Sequence, residues 1–327
     1  MIGRREFITL LGGGAAAWPL AGRAQETGEL PTIGWLDSFR APIEASSAFN
    51  KSLANTGYVV GRNVKLEYRS AEGDNDRLPA LAAEFVRRQV AVIVATTGTA
   101  VRAAKGATQS LPIVFAMGGD PVEEGVVTSL SRPGGNATGV ALLSTEIATK
   151  RLELLHELVP KAESIVALVR SDSDFSRAQA KGLQSAALGL GVRLLLVDVK
   201  TESDIAAAFA AAVQQRVGAL LIGGEQAFHV SQLPQILSLA NRSALPTLFL
   251  RRDAVAAGAL ASYGTDVLET YRQMGVYTGR LLKGEKPADL PVVQSTKFEL
   301  AINLKTAKAL GLSVPQSLVV AADEVIE

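Results

Sequence analysis

The sequence predicts an α/β protein built from two doubly wound lobes, each a parallel sheet with helices on both faces. Short continuous apolar runs alternate with longer segments whose apolar residues recur every three or four positions, as strands and helices do in this class. The alternation occurs in two series of similar size, one before and one after Val140. Two further breaks, near Gly264 and Pro287, would allow the chain to pass repeatedly between the lobes.

The composition is typical of a globular protein with a substantial core and excludes several kinds of function. The 327 residues are 48% hydrophobic and 20% charged, and the formal net charge of +1 gives no sign of nucleic-acid binding. The absence of cysteine excludes disulfides, thiolate metal sites and thiol catalysis. Two histidines, His156 and His229, are too few for a metal site with several His ligands. We therefore expect no metal and no cofactor.

Residues 1–24 are predicted to be an export signal peptide. Arg4 and Arg5 precede a short apolar stretch, and small residues suit cleavage after about Ala24. The apolar stretch is shorter than the roughly 20 residues that span a bilayer. The twin arginines resemble the Tat type, although Gly3 leaves the Sec route open. An N-terminal helix of a cytoplasmic protein is the alternative. The export interpretation predicts a periplasmic product.

The first series alternates four strands with helices. A continuous apolar run, as in the third strand, is typical of a strand covered on both faces. The predicted strands are 32–36, 64–68, 90–95 and 113–116; the helices are 42–55, one capped by Asp76, one that begins after Thr97 and Thr99, and one from near Pro121 to before Arg132.

The second series has the same pattern and ends in a long amphipathic helix. Its apolar face contains Val267, Tyr271, Met274, Thr278 and Leu281, and Gly284 ends it. The other predicted strands are 165–169, 194–199, 219–222 and 247–250, and the other helices are one through 148–159, then 175–188, 205–215 and 231–241.

The turn after the third strand, at residues 96–99, is the first candidate site. Ligands of open α/β sheets bind beyond the carboxyl ends of the strands. Gly98 permits a tight turn, and the Ala-rich run that follows favours a helix. The free N–H groups and partial positive charge of a helix start can bind an anion such as a carboxylate. Simple capping of the helix by Thr97 or Thr99 is the alternative explanation.

Polar residues at other strand ends are further candidates, each with a structural alternative. Asp120 can equally cap a helix at Pro121. Glu225 is harder to explain in this way, because it follows a buried strand through two glycines. The complete predicted ligand-binding set is Ser38, Thr97, Gly98, Thr99, Asp120, Arg170, Ser171, Glu225 and Tyr263.

The common sequence motifs of enzymes are missing. The chain has no G-x-S-x-G elbow and no G-x-x-x-x-G-K-[ST] loop, and no G-x-G-x-x-G follows a strand. No base or nucleophile accompanies the carboxylates at the strand ends. We therefore predict no catalytic residues, with a secreted α/β enzyme as the alternative.

The chain resembles a family of ABC-transporter substrate-binding proteins. Residues 252–264, RDAVAAGALASYG, are similar to the family segment REF…aGGLmSYG. The run KGEKPADLPV at 283–292, the segment KFELAIN at 297–303, and the ending ADEVIE also fit, as does the start RREFITLLGG. The resemblance covers essentially the whole chain.

The resemblance implies a type I periplasmic binding protein: two Rossmann-like doubly wound lobes joined by a three-crossing hinge, with the ligand in the cleft. We expect lobe 1 to comprise 30–140 and 265–288, and lobe 2 to comprise 141–264 and 289–327. Relatives of this kind bind aromatic amino acids, which implies a small carboxylate ligand. The implied partners are an ABC permease and its ATPase, with the protein itself a monomer. A sensor for a membrane receptor is a further alternative.

The resemblance also implies that Ser38, Thr97, Thr99, Asp120, the turn 170–173 and Glu225 are the positions that match the family's ligand site. In a solute-binding protein, Thr97, Thr99 and the helix N–H groups would hold an α-carboxylate, and Asp120 or Glu225 would pair an ammonium, since a buried charge must be matched. Arg170 stands where the family often has Asn, and Glu225 where Asp is common. Ala259 replaces the second glycine of the hinge motif. Arg170 could therefore pair a carboxylate instead, and the identity of the ligand stays open.

Overall fold

The computed structural model describes residues 29–142, 144–170, 174–224, 228 and 231–327. The predicted export signal, Ser171 and Glu225 lie outside the described residues. Residues 31–327 form one compact unit. Within the described part of the chain, no helix is both long and apolar enough to cross a membrane.

The first sheet has six strands, all paired in parallel. They are β1 (Thr32–Asp37), β2 (Lys65–Ser70), β3 (Val92–Ala95), β4 (Ile113–Met117), β5 (Ala137–Ala141) and β11 (Val293–Gln294). Their order across the sheet is β11-β5-β4-β3-β1-β2.

The second sheet has seven strands and one antiparallel pair. They are β6 (Ser164–Val169), β7 (Arg193–Asp198), β8 (Ala219–Ile222), β9 (Thr247–Phe249), β10 (Ala261–Thr265), β12 (Phe298–Asn303) and β13 (Glu324–Ile326). Their order is β13-β12-β10-β9-β8-β6-β7, and only β10 and β12 run antiparallel to each other.

Helices cover both faces of each sheet. The α-helices of the described residues are α1 (Ile43–Asn55), α2 (Leu78–Arg87), α3 (Gly98–Ala107), α4 (Ser144–Leu158), α5 (Asp174–Leu190), α6 (Glu202–Gln214), α7 (Leu233–Ser243), α8 (Arg252–Ala256), α9 (Val267–Leu282), α10 (Leu304–Ala309) and α11 (Gln316–Ala321). Short 3-10 turns lie at Asn75–Arg77 and Pro287–Asp289.

Alternate residues of each central strand enter opposite cores, as the two faces of a covered sheet require. In β3, Ile93 packs with α2 and α3, whereas Val94 packs with α1 and α9. In β6, Ile165 packs with α4 and α5, and Val166 packs with α6 and α7. The continuous apolar runs in the sequence therefore have the predicted cause, and the α/β class with two doubly wound lobes is confirmed.

The chain passes between the two sheets three times. It leaves the first sheet after Ala141, and α4 packs on the second. It returns after Thr265 into α9, which packs on α1, and leaves again between Gln294 and Phe298. Because β11 pairs with β5, the last crossing follows Gln294. A first lobe that ends at residue 288 would therefore leave out one strand of its own sheet, and the exact lobe limits stay a prediction.

Two predicted local features are wrong, while the other predicted strands and helices of the described residues are confirmed with small differences at their ends. Asp76 does not cap α2; Asp74 accepts a hydrogen bond from Asp76 N–H at 3.3 Å, and a 3-10 turn leads into the helix. No helix follows Pro121. Gly125 adopts φ +68°, a left-handed conformation that ends helical winding, and Val126 N–H closes the turn onto Pro121 O at 2.8 Å.

Candidate functional site

Each sheet has a topological switch point, where open α/β sheets bind their ligands. In the first sheet, β1 lies between β2 and β3; in the second, β6 lies between β7 and β8. Because these neighbours are parallel, the segments after β1 and β3 begin at one sheet edge, and so do the segments after β6 and β8. These segments contain most of the predicted site residues that the structure describes: Ser38, Thr97, Gly98, Thr99 and Arg170. Ser171 and Glu225 come next after Arg170 and Gly224 in the sequence but lie outside the described residues.

Three hydroxyl groups meet at the switch point of the first sheet. Ser38 Oγ lies 2.9 Å from Thr97 Oγ1 and 3.1 Å from Thr99 Oγ1, and the two threonine oxygens are 3.2 Å apart. Ser38 is buried and the threonines are half-buried. We call Ser38, Thr97 and Thr99 the hydroxyl cluster. Hydroxyl hydrogens can rotate to donate to a bound anion, so the cluster can serve as a set of donors.

Two members of the hydroxyl cluster, Thr97 and Thr99, lie at the start of α3. Thr97 is the N-cap, with extended backbone angles, and its Oγ1 accepts from Ala100 N–H at 3.2 Å. The capping role is therefore confirmed for Thr97. The hydroxyl of Thr99 is not the cap and contacts Ser38. The N–H groups of Gly98 and Thr99 precede the first intrahelical bond, from Val101 N–H to Thr97 O at 2.8 Å. They add two backbone donors to the three hydroxyls.

A carboxylate that the sequence interpretation missed lies beside this turn. Glu124 pairs with Arg102 of α3 at 2.7 Å, and its side chain is only 11% exposed. A Cβ atom placed on Gly98 would lie 3.5 Å from both Arg102 Nη1 and Glu124 Oε2, and one on Gly119 would collide with Glu124 Oε1. Gly119 therefore leaves space that the Glu124 carboxylate occupies, whereas a Cβ on Gly98 would only be in ordinary van der Waals contact with the ion pair. The sequence offered no signal for Glu124, because a helix was expected there.

Asp120 is engaged in local structure. Its Oδ1 accepts from Val122 N–H at 2.7 Å and from Glu123 N–H at 3.4 Å, so the side chain caps the turn after Pro121. The residue is exposed at the surface. Asp120 therefore caps a turn and not the expected helix, and a contact between Asp120 and a ligand stays a prediction.

The two second-lobe candidates among the described residues differ in their distance from the switch point. Arg170 directly follows β6 and is half-buried. Tyr263 lies within β10, which β8 and β9 separate from β6. Its ring stacks on Phe298 with centroids 6.1 Å apart and packs against the second-lobe core. The structure brings Arg170, and not Tyr263, to the second switch point.

Three aromatic rings pack together near the end of β1. Trp35 stacks on Tyr68 and Tyr271, with centroid distances of 5.0 and 5.7 Å. Burial raises the pKa of the Tyr271 phenol far above its ordinary value, and the nearby Asp37 carboxylate raises it further. Asp37 is itself buried and directly precedes Ser38. Tyr271 is therefore neutral at physiological pH. The register of β1 and β2 places Trp35 opposite Tyr68, which a strand-pairing argument could have found.

A cavity of about 700 Å³ lies near the crossings but apart from the hydroxyl cluster. Its lining includes the start of α1, the segment between β9 and α8, and the crossing residues Asp266 and Lys297. Among its charged groups, Lys297 Nζ lies 3.4 Å from Asp266 and 3.3 Å from Glu299. None of the predicted site residues that the structure describes lines this cavity.

Comparison with known proteins identifies the family. Residues 40–326 match the family described as ABC transporter substrate binding protein. The chain belongs to this family. This match confirms the resemblance drawn from residues 252–264 and from the end of the chain. Substrate-binding proteins of ABC transporters bind a small molecule and interact with a permease.

Individual relatives agree with this membership. The tyrosine-binding protein of Clostridioides difficile (strain R20291) is 31% identical over 274 residues, which are 82% of this chain and 77% of the relative. The ABC domain from Streptococcus pneumoniae, solved in complex with L-Trp, is 27% identical, with a TM-score of 0.82 over 91% of this chain and 100% of that one. A conserved domain protein from Vibrio cholerae is similar in fold, with 24% identity, a TM-score of 0.83 and the same coverage. These likenesses confirm the two-lobed type I periplasmic binding fold.

Proposed function

We propose that this protein is the periplasmic solute-binding component of an ABC importer, and that it binds an aromatic amino acid in the cleft between its lobes. The observation that carries the proposal is the hydroxyl cluster at the start of α3. There, three hydroxyls and two backbone N–H groups converge at the switch point of the first sheet. The tyrosine-binding relative and the L-Trp complex support the choice of ligand class.

The hydroxyl cluster is suited to an α-carboxylate. A helix start concentrates N–H donors and partial positive charge, which favours an anion there by about 0.3–1 kcal/mol at an exposed site. Hydrogen bonds to a charged group contribute about 1.5–3 kcal/mol each. The carboxylate would accept from the Thr99 hydroxyl and from the N–H groups of Gly98 and Thr99. Ser38 would hold the two threonine hydroxyls in place.

The ammonium group of the ligand would be paired by Glu225 of the second lobe. Asp120 is exposed and caps a turn, and Glu124 pairs with Arg102, so each of these two first-lobe carboxylates is already engaged. Glu225 comes shortly after β8 in the sequence. A ligand bound by Thr99 on one lobe and Glu225 on the other would favour the closed arrangement, which a permease can recognise. Arg170 would limit the size and charge of the ligand side chain.

The remaining parts of the proposal follow from the family role. The protein would be exported, cleaved after about Ala24, and act as a monomer with a permease and its ATPase. It would catalyse no reaction. Mass spectrometry of the protein purified from the periplasm tests the export, the cleavage and the absence of a reaction. We expect a mature chain beginning at Gln25 and an aromatic amino acid released unchanged on denaturation. Conversion of the amino acid by the purified protein would contradict the proposal, as would failure to bind any added aromatic amino acid.

A further inference from the structure

An aromatic side chain lies next to the hydroxyl cluster. Phe39 directly follows Ser38, at the edge of the first sheet where the parallel strands β1 and β3 end. Among the described residues in the three positions that follow the ends of β1, β3, β6 and β8, it is the only aromatic one. Its side chain is half-buried. Phe39 is therefore placed to form an apolar wall of the ligand site.

The ring of Phe39 is not part of a hydrophobic core. In the described part of the chain it belongs to none of the clusters of buried apolar residues, nor to the half-buried residues that pack against them. It also stacks on no other aromatic ring of the described residues. Aromatic side chains stabilise proteins mainly by burial in cores and in interfaces. A half-buried ring outside the core, at the edge where ligands bind, therefore points to a contact with the ligand.

A turn that follows β2 supports this ring. A Cβ atom placed on Gly73 would lie 3.1 Å from Phe39 Cε1 and 3.2 Å from Cζ, so the far end of the ring lies against the glycine. Gly73 adopts φ +90°, a left-handed conformation that favours glycine. Its N–H donates to Ser38 O at 2.9 Å, and Ala71 N–H donates to Asp37 O at 2.9 Å. The turn thus holds the segment that carries Phe39 and limits where the ring can move.

A carboxylate bound at the hydroxyl cluster would bring an amino acid side chain close to Phe39. The α-carbon bears both the carboxylate and the side chain, and Phe39 is the chain neighbour of Ser38. Aromatic rings attract each other in offset-stacked or edge-to-face geometry beyond the effect of burial. The other predicted aromatic contact, Tyr263, is separated from β6 by β8 and β9. Phe39 is thus better placed than Tyr263 to distinguish aromatic from aliphatic ligands.

We propose that Phe39 is a specificity-determining residue of the ligand site, and that its ring packs against the aromatic side chain of the bound amino acid. The hydroxyl cluster holds the carboxylate, and Phe39 selects ligands that carry an aromatic ring. Gly73 keeps the Phe39 ring in place for this contact. This inference rests on the proposed function, because it requires an amino acid whose carboxylate is bound at the hydroxyl cluster.

The test pairs two ligands of similar shape with variants of Phe39. L-phenylalanine and L-cyclohexylalanine differ in the aromaticity of their rings, and F39L removes the ring of the protein while keeping an apolar side chain. Calorimetry measures the affinity of each protein for both ligands. We expect the wild type to prefer L-phenylalanine by about threefold to tenfold, the usual range for an aromatic pair. F39L should lose most of this preference, and F39Y, which keeps a ring, should retain it.

The matched control is Y58L. Tyr58 is also a half-buried aromatic residue of the first lobe, but it lies between the end of α1 and the start of β2, at the opposite edge of the sheet. Y58L should leave the preference unchanged, whatever its effect on thermal unfolding.

NMR of the wild type gives a second readout that a purely structural role of Phe39 would not produce. The ring protons of bound L-phenylalanine should show nuclear Overhauser contacts with the Phe39 ring, whose signals are assigned by their change in F39Y. These contacts decide the matter even if F39L does not fold.

The outcomes separate this inference from the proposed function. If the wild type binds L-phenylalanine but F39L keeps the wild-type preference, or if the ligand ring shows no contact with Phe39, the specificity role is wrong and the proposed function stands. Equal affinities of the wild type for L-phenylalanine and L-cyclohexylalanine would also overturn the specificity role. If the wild type binds no aromatic amino acid, the proposed function fails, and this inference fails with it.

Discussion

The hydroxyl of Ser38 lies 2.9 Å from that of Thr97, although the two residues are 59 positions apart in the sequence. The contact exists because β1 and β3 are parallel neighbours, so the residues that follow them emerge at one sheet edge. It joins the end of one strand to the N-cap of α3 and completes the hydroxyl cluster with Thr99. The expected anion site of the first lobe depends on this pairing.

Replacement of Thr99 tests the hydroxyl cluster most cleanly, because Thr99 is not the cap of α3. We expect T99A to weaken binding of L-tyrosine by about 1.5–3 kcal/mol, the usual contribution of a hydrogen bond to a charged group. The free energy of unfolding without ligand should change by less than about 1 kcal/mol, since no helix cap is lost. Calorimetry and urea unfolding measure the two quantities.

Replacement of Thr97 should affect both binding and stability. T97A removes the acceptor of Ala100 N–H, and loss of an N-cap costs about 1 kcal/mol. The matched control is T201A, which removes the threonine N-cap of α6 in the second lobe. We expect similar losses of stability in the two variants but weaker ligand binding only in T97A. Equal affinities in T97A and T201A would contradict an anion site at the start of α3.

Substitutions of Glu124 and of Arg102 should change the affinity of the anion site in opposite directions. E124Q leaves a positive guanidinium near Gly98, which favours a bound carboxylate. R102M leaves the Glu124 carboxylate there instead, which disfavours it. We expect affinities for L-tyrosine a few-fold above wild type in E124Q and a few-fold below it in R102M, with both differences reduced at high salt. Changes of the same sign in both variants would show that the pair acts only on stability.

Close packing of α9 on α1 depends on glycine. A Cβ atom on Gly275 would collide with Ser52 Oγ and approach Phe49 O at 2.5 Å. We expect G275A to lower the free energy of unfolding by about 1–3 kcal/mol through overpacking. The control is G182A in α5, where the nearest atom, Thr149 Oγ1, would be 3.6 Å away, so alanine should be neutral or stabilising by up to about 1 kcal/mol. Comparable stability of both variants in urea unfolding would contradict this packing.

The ion pair between Asp266 and Lys297 links the second and third crossings at 3.4 Å. Burial alone would raise the pKa of the Asp266 carboxyl, but the Glu269 N–H and the Lys297 ammonium outweigh burial, and the pKa lies below its ordinary value. The stabilisation is therefore complete at neutral pH and is lost as the pH falls below the unfolded value of about 3.9.

The substitution D266N tests this pH dependence while keeping a good N-cap residue at the start of α9. We expect D266N to be less stable than wild type by about 1 kcal/mol at pH 7, with the difference shrinking as the pH falls below about 4. E153Q, which breaks the exposed Lys150–Glu153 pair, should show little difference at any pH. A D266N difference that is constant with pH would rule out the ion pair as its cause.

The sequence predicted the parts of this structure that local chemistry controls. Covered strands such as β3 and β8 need apolar residues on both faces, so their continuous apolar runs identified them. Ser38, Thr97 and Arg170 were expected at the switch points because strand ends in this class are where ligands bind, and the structure places them there. Their contact with a ligand stays a prediction. These inferences need only residue type and the order of elements along the chain.

The residues that sequence reasoning missed depend on tertiary contacts. Glu124 comes beside Gly98 because Gly125 turns the chain where a helix was expected. Arg151 lies on an amphipathic helix, where an arginine normally faces solvent, and it is buried because α4 packs on the second sheet. Tyr263 was expected at the site because a crossing is near; β8 and β9 lie between it and β6, and its contact with a ligand stays a prediction.

Calorimetry of the wild-type protein with L-tyrosine and with tyramine tests the central claim most directly. The two molecules share the aromatic ring and the amine, but tyramine has no carboxylate for the hydroxyl cluster and the Gly98 and Thr99 N–H groups to bind. We predict that L-tyrosine binds and that tyramine binds at least a hundredfold more weakly, about 2.7 kcal/mol. Equal affinities for the two molecules would contradict the assignment of the carboxylate site to Ser38, Thr97 and Thr99.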